Sequence, residues 1–371
     1  MKIAFLSTFY PYRGGIAQFN AALYRSLEID HEIKAFNFSL QYPKLLFPGK
    51  TQFVTEEDEV DKIPTERVLN SISPVSYRKA ASKISAYDPD ILIIGYWMPF
   101  MAPSLGYIAK KLRKSAKVIA IIHNAIPHEQ SVLDKRLNDY FFNRVDSFVA
   151  LSQSVKNDIL KNYNNAKVEV LHHPVYNHFG DSIDKSEARY KLNLKLDKKY
   201  LLFFGLIREY KGLDILLETL ALLPNDYNLI IAGEVYGSFE KYQKIIDYHD
   251  LSKRIHLFDN YIPDKEVGLY FSAADCCVLP YKSATQSGIV AIAKHFKVPV
   301  VVSDVGGLGE FIENERSGLL IKTATPTKFS DAIISLFSEN KLAEIKTYME
   351  NHNNENSWTV FAKRLIGFIN Q

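Results

Sequence analysis

Cysteine is almost absent from this 371-residue chain: there are two, Cys276 and Cys277, side by side in an apolar run. Adjacent thiols do not make a structural disulfide, so the pair reads as buried residues of a protein from a reducing compartment. An excess of charge is also missing. With 45 Lys+Arg against 42 Asp+Glu the formal net charge is +3, which gives no argument for a nucleic-acid partner. Long hydrophobic runs are missing too. Met1-Lys2-Ile3-Ala4-Phe5-Leu6-Ser7 is apolar for only a few residues, too short for the core of a signal peptide or for a membrane span. The expectation is a cytoplasmic protein, attached to a membrane at most from its inner surface. No metal framework stands out, since His123 and His128 are five apart and His172 and His173 are adjacent.

The chain does contain short apolar runs alternating with segments of helical period, the pattern of βα units around a parallel sheet. Strand candidates are 2–6, 91–94, 118–122, 147–151 and 168–171, then 200–204, 228–232, 255–258, 276–279, 298–302 and 319–321. Leu213, Leu216, Leu217, Leu220 and Leu223 recur at spacings of three and four and mark one face of an amphipathic helix. The length suits two domains, 1–175 and 176–356, with the polar stretch 177–199 as the junction. A final helix over 357–371, apolar at 358, 361, 365, 366 and 369, can join the first domain, although periodicity does not say where it packs. The fold class is α/β: two doubly wound, Rossmann-like parallel-sheet domains, expected to face each other across a cleft.

Chemistry gathers after the strands. Gly205-Leu206-Ile207-Arg208-Glu209-Tyr210-Lys211-Gly212 joins a strand to a helix, and its two cations, three residues apart, suit a diphosphate. The same cations would also suit an ordinary solvated turn. Ser287-Gly288-Ile289-Val290 follows another strand and opens a helix, whose free N–H groups and partial positive charge attract phosphate. Asp88-Pro89-Asp90 precedes a strand and reads as a turn rather than a metal site. Glu129 reads equally as an acceptor-hydroxyl ligand or as the start of a helix. Lys110-Lys111-Leu112-Arg113-Lys114 and Lys117, with Arg78, Lys79 and Lys83, suit either a helix C-terminus or an anionic membrane surface.

The order of Gly14-Gly15-Ile16, His123-Asn124, His173-Pro174, Gly205 to Gly212, Ala232-Gly233-Glu234, Ala273-Ala274-Asp275, Ser287 to Val290, and Pro299-Val300-Val301 with Gly306-Gly307-Leu308-Gly309-Glu310 resembles the family 4 retaining glycosyltransferases of GT-B fold. The resemblance spans essentially the whole chain. It implies a nucleotide-sugar donor held mainly by the second domain, with Arg208 and Lys211 on the diphosphate and Thr285, Ser287 and the amides of Gly288, Ile289 and Val290 completing that site. It places Tyr261 and Ile262 at the nucleobase, Gly15 close to the phosphate and transferred sugar, and His123 at the donor sugar. Catalytic roles fall to His123, Arg208 and Lys211, and the implied reaction needs neither metal nor cofactor. The acceptor is a saccharide or lipid-linked molecule, as in bacterial surface polysaccharide or glycoconjugate synthesis.

This sequence departs from the family pattern at two carboxylates with seven residues between them, whose places are taken by Thr285 and Ala293. It also has Leu206 where a cation usually follows the glycine, with Arg208 two residues later. A subset of relatives sharing the Ala-Thr-Gln-Ser-Gly form points to an altered site. The alternatives are a non-catalytic nucleotide-sugar-binding partner protein and a sugar-nucleotide epimerase on the same scaffold.

Overall fold

Strands that read as unbroken apolar runs are buried on both faces, as a parallel sheet between helices requires. The computed structural model describes residues 1–43, 51–54, 60–123, 132–174, 179–284, 287–338, 340–352 and 357–371. Contacts divide the chain into two compact units, Met1–His173 with Asn356–Gln371, and Pro174–Glu355.

The first unit holds β1 (Lys2–Leu6), β2 (Glu32–Leu40), β3 (Thr65–Asn70), β4 (Ile91–Tyr96), β5 (Lys117–Ile122), β6 (Ser147–Ala150) and β7 (Val168–Val170), ordered β3-β2-β1-β4-β5-β6-β7 with every pairing parallel. Alternate side chains of β4 serve opposite cores. Leu92, Ile94 and Tyr96 join the layer with the helices Pro74–Tyr87 and Ala102–Leu112, whereas Ile91 and Ile93 join the layer with Gly15–Leu27 and the C-terminal helix. That last helix, Trp358–Ile369, turns Trp358, Phe361, Leu365, Phe368 and Ile369 into this unit, and Lys117 donates its ammonium to the carbonyl of Ile369.

The second unit holds β8 (Lys199–Phe204), β9 (Tyr227–Ala232), β10 (Ile255–Phe258), β11 (Cys276–Leu279), β12 (Val300–Ser303) and β13 (Gly318–Ile321) in the order β10-β9-β8-β11-β12-β13, again all parallel. Tyr200, Leu202 and Phe204 point to one core and Leu201 and Phe203 to the other. The helix Leu213–Leu222 buries Leu213, Leu216, Leu217 and Leu220, the face that its spacing predicts.

Three segments differ from the sequence reading. β2 and β3 are strands that it lacks; β3 lies at the sheet edge and carries Thr65, Glu66 and Arg67, so polarity suited to an edge masks its period. The supposed polar junction contains the helix Lys185–Lys191, which belongs to the second unit. A tertiary ion cluster holds it: the buried Asp275 accepts from Arg189 at 2.8 Å, from Lys185 at 2.6 Å and from the Tyr200 N–H at 2.8 Å. Replacing Asp275 by Ala leaves the buried Arg189 guanidinium without its carboxylate, and chemical denaturation should show a loss of about 3–5 kcal/mol. Asp88-Pro89-Asp90 is a turn, with Asp88 left-handed at the end of a helix and the Asp90 carboxylate accepting from the Lys2 N–H at 2.7 Å.

Candidate functional site

In each sheet the strand order reverses direction once, between β1 and β4 and between β8 and β11. Such a switch point leaves a crevice at the carboxyl ends of the strands, the usual ligand position in open α/β sheets. The cationic turn follows β8 and the Ser287 helix follows β11. The sequence's two phosphate-binding candidates therefore flank one switch point.

Close contacts fasten these two loops together. Gly212 has φ +69°, and a Cβ there would lie 2.0 Å from the carbonyl oxygen of Pro280. The Lys282 N–H donates to the Tyr210 carbonyl at 2.7 Å, and the Lys282 ammonium lies 2.6 Å from Asp214. Gly205, at φ +86°, has Lys211 Nζ 3.1 Å from where its Cβ would stand, so a side chain would crowd the ammonium. Ser287 caps the helix Gly288–His295 by accepting from the Ile289 N–H at 3.3 Å, and its Oγ lies 3.3 Å from the hydroxyl of the buried Tyr281. Val290 already donates to the Ser287 carbonyl at 3.2 Å. Of the three amides expected to face phosphate, that of Gly288 alone has no partner among the described residues. Thr285 lies outside the described residues, as does Glu129.

The electrostatics of this corner are unusual. Lys211 is 7% exposed, and its ammonium has no hydrogen bond or ion pair among the described residues. Its pKa is pushed down to about 8, first by burial and then by the Arg208 guanidinium. Arg208 likewise has no carboxylate partner among the described residues, and its Nε is buried without a hydrogen bond. Two cations without counter-charge, near a helix N-terminus, form a site electrostatically incomplete until an anion arrives.

Around them, Tyr261 is half-buried and Ile262 buried in the loop after β10. Ala293 is fully buried within the second unit's core, and its carbonyl accepts from the Val298 N–H at 2.8 Å. Its methyl group packs rather than faces a ligand.

In the first unit, Gly15 is exposed at the start of its helix after β1. His123 directly follows β5, with its N–H donating to the Tyr96 carbonyl at 2.9 Å. Burial, helped by His173, pushes its pKa down to about 3, so the imidazole stays neutral at any working pH. Phe19 meets the rings of His123, His173 and Trp358 edge-on at 4.9, 5.0 and 5.1 Å, so the C-terminal helix supports the histidine through one shared ring. Asn20, beside Phe19 on the helix Gly15–Leu27, ties that helix to the switch point, donating to Ser7 Oγ and the Thr8 carbonyl at 2.8 Å each. Phe19, Asn20, Tyr281 and Trp358 carry no motif, and their part is visible only in three dimensions. Part of the basic run has structural work: Arg113 pairs with Asp146 at 2.6 Å and Lys83 with Glu66 at 3.1 Å. Among the described residues, no helix is long and apolar enough to cross a membrane.

Two parallel Rossmann-like sheets, each with its switch point, define an α/β protein of the GT-B fold. Solved structures share that architecture. Anabaena HepE in complex with UDP has a TM-score of 0.79 at 17% identity, with both chains covered in full. WaaG, a glycosyltransferase involved in lipopolysaccharide biosynthesis, has a TM-score of 0.68 at 15% identity, with 99% of each chain covered. Residues 13–177 match the family model described as Glycosyltransferase Family 4, and residues 184–352 match Glycosyl transferases group 1. The chain belongs to the family 4 glycosyltransferases of GT-B fold. An uncharacterized glycosyltransferase of Methanocaldococcus jannaschii is 22% identical over 95% of this chain and 92% of its own length. The D-inositol 3-phosphate glycosyltransferase of Corynebacterium urealyticum is 29% identical over 48% of this chain and 44% of its own.

Proposed function

We propose that the protein transfers a sugar, with retention of anomeric configuration and without a metal, from a nucleoside diphosphate donor to a saccharide or lipid-linked acceptor. The observation that carries this reading is the pair Arg208 and Lys211, cations without a carboxylate partner among the described residues, beside the Ser287-capped helix at the second sheet's switch point. Nucleotide-sugar chemistry is supported by the same-fold HepE structures, which hold UDP and, in another, UDP-glucose.

In the reaction, the bond from the anomeric carbon to the diphosphate oxygen breaks as the acceptor oxygen forms its bond on the same face. The acceptor's proton passes to the departing phosphate oxygen. Arg208, Lys211 and the Gly288 amide stabilise the charge gathering on that leaving group, and preorganised donors of this kind supply most of the rate enhancement in such chemistry. Neutral His123 serves as a hydrogen-bonding group to the sugar, and its low pKa keeps it out of proton transfer. Gly15 allows close approach, Tyr261 and Ile262 hold the base, and Thr285 and Ser287 complete the phosphate site.

The first unit takes the acceptor, and the exposed cations Arg78, Lys79, Lys110, Lys111 and Lys114 suit a peripheral contact with an anionic membrane surface. Surface polysaccharide or glycoconjugate synthesis in the cytoplasm is the setting this combination fits. Burial of Ala293 suits a subset that binds its donor without a carboxylate at this position, and it is also what a non-catalytic nucleotide-sugar-binding protein would tolerate.

Incubation with UDP-, GDP- and ADP-sugars, with and without saccharide and lipid-linked acceptors, separates these readings. Acceptor-dependent release of nucleoside diphosphate, with a retained anomer by NMR, is the expected result. Binding without release under every acceptor would overturn transfer in favour of the non-catalytic reading, and a changed donor sugar would identify an epimerase.

A further inference from the structure

We propose that Tyr236 is a positioning residue that holds Arg208 by its aromatic face and so keeps the guanidinium oriented and open to phosphate; this rests on reading Arg208 as part of the diphosphate site. The Arg208 Cζ lies 4.1 Å from the centroid of the Tyr236 ring, the close range for a cation stacked on an aromatic face. The neighbouring cations of this corner are held differently. Lys282 lies 2.6 Å from Asp214, and Lys241 lies 2.9 Å from Glu209 and 3.8 Å from Asp214. Those carboxylates consume donors and cancel charge. A ring face does neither, because it attracts the cation while the guanidinium's N–H groups stay directed outward in its own plane.

The pairing is built into the backbone. Beyond the end of the sheet, the loops after β8 and β9 continue in parallel register through a bridge between Ile207 and Val235. The Ile207 N–H donates to the Glu234 carbonyl at 2.9 Å, and the Tyr236 N–H donates to the Ile207 carbonyl at 3.0 Å. Those bonds carry Arg208 and Tyr236 forward as the next pair, one residue past the bridge on each strand. Tyr236 is 36% exposed, so its ring is not there to fill the core. Its burial partner is the guanidinium.

The test uses the full-length protein and titration calorimetry with UDP, GDP or ADP, whichever binds tightest, and with the matching nucleoside lacking phosphates. Wild type, Y236A, Y236F, Y236L, R208A and the double variant R208A/Y236A are compared, each checked for an unchanged melting transition. Y236A and Y236L should weaken the nucleoside diphosphate about 3- to 30-fold, leave the nucleoside unchanged, and have no further effect in the R208A background. Y236F, which keeps the ring, should restore wild-type affinity. The proposal is overturned if Y236A leaves diphosphate affinity intact, if it weakens the nucleoside equally, which would make Tyr236 a base-stacking residue, or if its effect persists without Arg208. An R208A variant that binds the diphosphate as wild type does would instead overturn the reading of the site itself.

Discussion

Lys211→Met should weaken nucleoside diphosphate binding about 10- to 100-fold and, at the same time, make the ligand-free protein more stable. Loss of affinity follows from removing a charged donor from a site where its charge meets no carboxylate among the described residues. The gain in stability follows from the same fact. An ammonium that is 7% exposed and has its pKa pushed down to about 8 is disfavoured by the fold in its charged form. The unfolded chain keeps the proton to the usual lysine range, so between about pH 8 and that range the unfolded state binds more protons, and the stability of the free wild type rises with pH. Below pH 8 the full cost of the buried charge is present. Methionine fills similar space without charge, and at neutral pH it should stabilise the second unit by on the order of 1–3 kcal/mol, or about 2–4 °C in melting temperature per kcal/mol. The advantage should shrink as pH rises above 8. Calorimetric melting of both proteins at pH 7 and pH 9.5 checks this. A destabilised variant at pH 7 would mean that Lys211 supports the fold rather than the ligand.

Gly212→Ala should cost about 3 kcal/mol or more and also loosen nucleotide binding. Two penalties add. The left-handed backbone at φ +69° costs an alanine about 1–2 kcal/mol, and its Cβ would stand 2.0 Å from the Pro280 carbonyl oxygen, which no rotamer can avoid. Backbone must move, and the loops that move are those carrying Lys211 and Ser287, joined through Tyr210 and Lys282. Gly237→Ala is the control: φ is +93°, but nothing lies within 4 Å of the new Cβ, so only the backbone penalty applies, about 1–2 kcal/mol. Urea denaturation separates the two. Equal losses for both variants would show that the Pro280 contact is readily relaxed.

Much of this architecture is legible in the sequence because parallel strands bury both faces. Ile91 to Tyr96 and Cys276 to Leu279 read as strands for the same reason that they are inaccessible. Edge position defeats that signal at β3, whose exposed residues are polar. The helix Lys185–Lys191 is hidden because its inward contact is an arginine whose partner, Asp275, is far along the chain. At the candidate site, Arg208, Lys211 and Ser287 stand out through local glycine turns and charge. Strand order does not, and it is strand order that brings the loops after β8 and β11 to one switch point. Nor does the sequence show which amides are already engaged: Ile289 and Val290 donate to Ser287, and of the three only the Gly288 amide has no partner among the described residues. Residues that act through others, such as Phe19 behind His123 and Tyr236 behind Arg208, have no spacing to announce them.

The most direct test of the central claim, that Arg208 and Lys211 form a nucleoside diphosphate site, is titration calorimetry of wild type and Lys211→Met with the tightest-binding nucleoside diphosphate from pH 6 to 9.5. Wild-type affinity should stay level up to about pH 8 and then fall, approaching tenfold per pH unit, because only the protonated lysine binds the anion; the variant should bind weakly and without that break. A wild type and variant that bind equally well, with the same pH profile, would contradict it.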